Sequence, residues 1–117
     1  ERQIEAGQNN IIFIKTEVNP SFTGGEDAWR KYLIANLKAN TPVDEGWKAG
    51  KYVIIVKFIV HTDGTVSDVT TENYAGTKTA LHCIEVIKNA PKWQPAVQNG
   101  RKVNAYKKQP ITFVIEE

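Results

Sequence analysis

The ten residues Tyr52–His61 (YVIIVKFIVH) narrow what this chain can fold into more than any other segment. β-Branched and aromatic side chains fill nearly every position, which suits an extended strand and disfavours a helix. Because apolar residues fall on both faces, that strand must be central or covered on both sides. Thr62-Asp63-Gly64 follows at once and reads as a hairpin turn, with Gly64 supplying positive φ without a steric penalty. The returning strand, Thr65–Asn73 (TVSDVTTEN), is much more polar, so one of its faces meets solvent.

The remaining elements arrange themselves around this hairpin. Asn10–Val18 (NIIFIKTEV) reads as a short strand, and the polar stretch Glu1–Asn10 as a frayed or disordered end. Pro20 and the Gly24-Gly25 pair then break periodic structure. Glu26 and Asp27 sit where a helix start favours negative charge, and Ala28, Trp29, Tyr32, Leu33, Asn36 and Leu37 mark one helical face. That helix should stop before Pro42. A second helix is expected over Thr77–Ala90, with Ala80, Cys83, Ile84 and Ile87 at helical spacing and Pro91 ending it. Pro91–Gly100 (PKWQPAVQNG) is extended and closes in an Asn-Gly turn. Val103–Ile115 is the last strand, and Pro110 inside it marks an edge at least locally. The expected fold class is α+β: two helices packed on a mainly three-stranded antiparallel sheet, with an extra short N-terminal strand. Residues 11–117 form its single domain.

Nothing in the chain is arranged for catalysis. His61 ends a strand beside a turn, and His82 adjoins Cys83 on a helix, where neighbouring positions point about 100° apart. Cys83 lies on the apolar face, where a cysteine behaves as a small core residue. As the only cysteine, it forms no internal disulfide and founds no cysteine-based metal cluster. Asp63 and Asp68 flank a turn and have a local reason to occur there. Glycine-rich phosphate loops and the G-x-S-x-G nucleophile motif are both missing. The expectation is a non-enzymatic domain with no catalytic, cofactor-binding or metal-binding residues.

No stretch approaches the ~20 apolar residues of a membrane span, and no signal peptide is visible. The chain contains no methionine and begins at Glu1, so it is expected to be a shortened or processed product whose anchor lies elsewhere. The formal net charge of +2 hides an asymmetry. Lys88, Lys92, Arg101, Lys102, Lys107 and Lys108 fall between Val86 and Ile115 with no acidic residue among them. The rest therefore holds 9 basic (15 − 6) against 13 acidic residues. Trp93 and Tyr106 among these lysines have the look of a stacking platform for single strands. Six charges spread over turn and strand are more simply a solvated face, and no nucleic-acid partner is expected. Trp93 itself reads as a core anchor for the PKWQP turn.

Taken together, the apolar strand, the HTDGTVSDV hairpin, the helix running into CIEVIKNAPKWQPAVQNGRKV and the closing QPITFVIE resemble the C-terminal domain of TonB. The likeness is nearest to the Bacteroidetes-type energy transducers, and NPSFTGGEDAWRKYLIANLK resembles that group's Pro-x-Phe-x-Gly-Gly segment and first helix. It covers roughly Ile11 to Glu117. Thr41-Pro42 departs from the usual Tyr-Pro, the loop ENYAGTKTA is shortened, and Lys107 and Gln109 replace aromatic and aliphatic residues of the final strand.

The resemblance implies a periplasmic domain, the water-exposed part of an inner-membrane-anchored protein. It implies partners too: the N-terminal peptide segment of an outer-membrane TonB-dependent transporter, and proton-driven motor proteins reached through the missing N-terminal part. The cargo of such systems includes iron chelates (siderophores), cobalamin and glycans. A homodimer is a further possibility within the family, and related domains also serve as extracytoplasmic parts of BlaR-type sensor peptidases.

An edge strand exposes unpaired N–H and C=O groups to which an extended peptide can add. The expected partner-binding residues are therefore Val103, Asn104, Ala105, Tyr106, Lys107, Lys108 and Gln109. The lysines have a second explanation, since charge on an edge also prevents self-association. On this reading Ala105→Pro removes a ladder donor and leaves the fold largely intact.

Overall fold

The structure, a computed structural model, describes residues 11–117; the expected frayed segment Glu1–Asn10 lies outside them. Strands β1 (Ile12–Phe13) and β2 (Ser21–Phe22) precede helix α1 (Gly25–Asn36) and the single-turn helix α2 (Thr41–Asp44). β3 (Gly50–Val60) and β4 (Val66–Thr71) form the expected hairpin, and α3 (Lys78–Lys88) follows. β5 (Trp93–Gln94), β6 (Ala96–Gln98) and β7 (Arg101–Ile115) complete the chain.

β3 and β7 are the backbone of the molecule. They pair antiparallel from Gly50↔Ile115 to Val60↔Ala105, the whole length of β3. The sheet runs β1-β7-β3-β4, with β6 also paired to β7. The fold class is α+β as expected, but the sheet is not mainly three-stranded and antiparallel. It has five strands, and β1 lies parallel to β7 through Ile12↔Asn104 and Phe13↔Ala105. Strands of two or three residues carry no period-2 signal, so β2, β5 and β6 are invisible to pattern reading. The isoleucine run around β1 extends past the strand itself: Ile14 is 84% exposed, and only Val18 re-joins the sheet, through a bridge to Val97.

Alternation along β3 sorts its side chains. Ile54, Val56, Phe58 and Val60 are fully buried beneath the helices, and Ile111 and Phe113 of β7 share that face. Each such burial contributes roughly 1.5–3 kcal/mol. α1 and α3 close over them with Trp29, Tyr32, Leu33, Cys83 and Ile87. At one end an aromatic nest forms where Phe22 of β2 pairs with Trp93 of β5. Ring centroids there lie 4.8 Å apart for Phe22–Trp29, 4.7 Å for Trp29–Trp93 and 5.4 Å for Phe58–Trp93. Trp93 is thus the core anchor expected of it, 4% exposed.

Helix ends follow local chemistry. Thr77 caps α3, its side chain accepting from the Ala80 N–H. The same helix start is held by Glu45, whose carboxylate accepts from the Lys78 and Thr79 N–H groups and the Thr79 hydroxyl. α2 is an addition to the expected elements. Pro42 does end α1's reach, but it also sits at the start of a new turn, where its missing N–H is harmless. Glu45, at the end of that turn, ties it to α3.

Candidate functional site

The direction of the β7 backbone decides what the chain can offer a partner. The Ile55 N–H donates to Asn73 Oδ1 at 3.0 Å, and the Ile55 C=O accepts from the Glu72 N–H at 2.9 Å. Ile55 therefore spends both backbone groups on the β4 side. Its partner across the ladder is Pro110, whose backbone must then face away from β3. By alternation, Ala105, Lys107, Gln109, Ile111 and Phe113 bond to β3, while Tyr106, Lys108, Pro110, Thr112 and Val114 face outward. Proline falls on a position where no ladder donor is lost.

The seven expected partner-binding residues divide into two groups on this strand. Val103 lies beside Ala96 of β6, and Asn104 and Ala105 lie beside Ile12 and Phe13 of β1. At Asn104 and Ala105 the chain's own β1 already occupies the margin, whereas β6 lies beside Val103 on the side of β7 that β3 takes further along. Ala105 is also 1% exposed and paired to Val60, so a proline there would break the core ladder rather than leave the fold intact. Tyr106 stands where β1 ends, its N–H completing the bridge to Phe13, and Lys107, Lys108 and Gln109 have β3 on one side and, among the described residues, no strand on the other. The open margin continues through Thr112 and Val114, which were not among the expected residues.

Side chains along the margin are engaged one by one. Lys108 Nζ lies 2.9 Å from Glu72, and Lys57 Nζ sits 4.3 Å from the centroid of the Tyr106 ring. Lys107, opposite Phe58, belongs to the helix-covered face, so the two adjacent lysines point to different sides of the sheet. Gln109 shares that helix-covered face. Its Oε1 accepts from the buried Trp29 Nε1–H at 2.7 Å, and its Nε2–H donates to the Pro110 carbonyl at 2.7 Å.

Beyond Pro110 the margin borders an apolar groove of about 400 Å³. Leu33 and Ile34 of α1 and Leu37 just past its end form one wall, and Ile111, Phe113 and Val114 of β7 the other. Ile34 and Val114 are 72% and 62% exposed, which is unusual for large aliphatic residues placed together. Arg30 stands at its rim. The sequence signal for this extension was the Thr112/Val114 pair of β-branched residues in register with Pro110.

The groups weighed for chemistry are spent structurally. Cys83 is fully buried and its thiol is pushed up to about 12 by desolvation, so it is not a nucleophile. His82 Nε2 accepts from the Lys38 backbone N–H at 2.9 Å, joining the end of α1 to α3. Burial, aided by Lys38 and opposed by Glu85, holds its imidazole below the ordinary value. His61 contacts the Ser67 hydroxyl at 2.6 Å. Asp63 accepts from the hydroxyl and N–H of Thr65, bonds that keep its carboxyl below the usual range. Among the described residues no cluster of three or more His, Cys, Asp or Glu could hold a metal ion. No helix among them is long and apolar enough to cross a membrane.

No curated protein and no solved structure matches the chain. Residues 51–115, more than half of it and all but the first residue of the β3–β7 frame, match the family described as Gram-negative bacterial TonB protein C-terminal. A β3–β4 hairpin, a capped helix and a long final strand with one open margin are what those matched residues build, and the chain belongs to the TonB C-terminal family.

Proposed function

We propose that this domain is the periplasmic end of an energy transducer. It binds the N-terminal peptide segment of an outer-membrane TonB-dependent transporter by β-strand addition to β7. It does no chemistry itself; motor proteins in the inner membrane act on it through the part of the protein that precedes residue 1. The observation that carries this reading is the outward row Lys108, Pro110, Thr112 and Val114, a run of backbone groups with no second strand among the described residues. Each ladder hydrogen bond adds roughly 0.5–1.5 kcal/mol, so a short segment gains useful affinity from the backbone alone. The groove beside α1 then selects for an apolar side chain. Bonds along a strand also load together when the strand is pulled along its axis, which suits a grip under tension. The proposed contact residues are thus Lys107–Gln109 from the original set, extended to Thr112 and Val114.

Thr112→Pro tests this directly. Thr112 is exposed and opposite Val53, with its N–H turned outward, so the variant should fold as Pro110 already does one position-pair away. Calorimetry against 12-residue peptides from the N-terminal periplasmic segments of the source organism's transporters should show binding by the parent and at least tenfold weaker binding by the variant. Unchanged affinity would exclude this margin as the dock.

A further inference from the structure

Pro110 leaves a gap in the middle of the open margin. Lys108, Thr112 and Val114 each present a donor and an acceptor outward, but at Pro110 the donor is missing. An added strand would therefore find one of its own carbonyls unanswered there, at the centre of the ladder. A buried carbonyl left without a donor is unfavourable enough to blunt binding.

The Gln109 side chain stands at that gap. It is held from behind by the buried Trp29 Nε1–H, which fixes Oε1, so the amide plane is oriented and Nε2 is carried to the margin. There Nε2 donates to the Pro110 carbonyl, an outward group that an incoming strand would itself use. An amide nitrogen has two hydrogens, and only one is committed to Pro110. We infer that Gln109 is a further partner-binding residue of the strand-addition site: its side-chain amide supplies the donor that Pro110 lacks.

Two consequences follow from the geometry, both resting on the strand-addition reading. The residue of the partner that faces Pro110 is held by a side chain rather than by backbone, so that the ladder is bonded throughout. Its neighbours toward Val114 lie along the groove, where Leu33, Ile34 and Leu37 favour an aliphatic side chain. The occupant is therefore an extended peptide with an apolar residue a fixed short distance from the point held by Gln109. An aliphatic residue at position 109 would leave the gap open.

The test uses isotope-labelled protein titrated with the same 12-residue transporter peptides. The side-chain amide resonances of Gln109 should shift together with the backbone amides of Thr112 and Val114. Gln109→Glu keeps an acceptor for Trp29 but removes the donor, and Gln109→Met removes it without adding charge. Each should weaken binding about five- to tenfold, the worth of one net hydrogen bond. Pro110→Ala restores a backbone donor, and in that background Gln109→Met should lose little or nothing. If Thr112 and Val114 respond while the Gln109 amide stays still and both variants bind like the parent, the inference fails and the dock stands. If none of the outward amides responds to any peptide, the dock itself is wrong and the inference falls with it.

Discussion

Pro110 lies opposite Ile55, and Ile55 has turned both of its backbone groups to Asn73 and Glu72 on the other side. This pairing sets the phase of the whole final strand. A proline is accommodated without strain at 110, and the same phase marks which neighbouring positions would reject one.

Ala105 is on the rejecting phase. It bonds to Val60, is 1% exposed, and has Phe13 on its far side. Ala105→Pro should destabilise the domain by about 3 kcal/mol or more. Chemical denaturation of this variant beside Thr112→Pro, which should stay near the parent, checks the phase. Equal losses from the two would refute it.

Gly64 should tolerate no side chain. Its φ is +86°, and a Cβ there would meet the Trp93 carbonyl oxygen at 2.4 Å. Gly64 is also bonded to Trp93, its C=O accepting from the Trp93 N–H at 2.8 Å. Gly64→Ala should lose roughly 2–4 kcal/mol, since the left-handed conformation and the displaced Trp93 strand both oppose it. A thermal unfolding midpoint equal to the parent's would contradict this packing.

His82 gives the domain a dependence on pH. Its imidazole is held below the ordinary 6.5 by burial first and Lys38 second, with Glu85 pulling the other way. The folded state thus takes up a proton less readily than the unfolded chain. Its contribution is complete above pH 6.5 and is lost as pH falls through the lower folded value. A protonated ring can no longer accept from the Lys38 N–H. His82→Gln keeps an acceptor that does not titrate, so its stability curve should be flatter than the parent's below pH 6.5. Parallel curves for the two proteins would rule out this linkage.

Cys83 should behave as a reporter of unfolding. With the thiol buried and raised to about 12, a disulfide reagent should react in native buffer only as fast as the domain opens, and promptly in denaturant. Immediate stoichiometric labelling of native protein would place the residue elsewhere.

Much of this architecture was legible from residue patterns. The β3–β4 hairpin, both long helices and the closing strand follow from periodicity and from Gly64, Pro91 and the Asn99-Gly100 turn, where both residues do have positive φ. Pro110 points to a local edge, and among the described residues no second strand lies beside it. What could not be read was which side of β7 would be taken by pieces too short to have a period. β1 has only two residues, yet it occupies the margin at Asn104 and Ala105, and the three residues of β6 take the other side of the strand at Val103. The candidate site accordingly moved along the strand, toward Thr112 and Val114. Nor could periodicity foresee the contact between Gln109 and Trp29, residues 80 positions apart. It depends on how α1 settles over the sheet, and polar residues at apolar positions announce only that something is different.

The proline that interrupts this margin also bears on how the molecule meets its own kind. Were a second copy laid antiparallel about position 110, the two rings would confront each other and neither backbone could donate at the centre. Runaway zippering of like surfaces into fibrils is opposed at its midpoint.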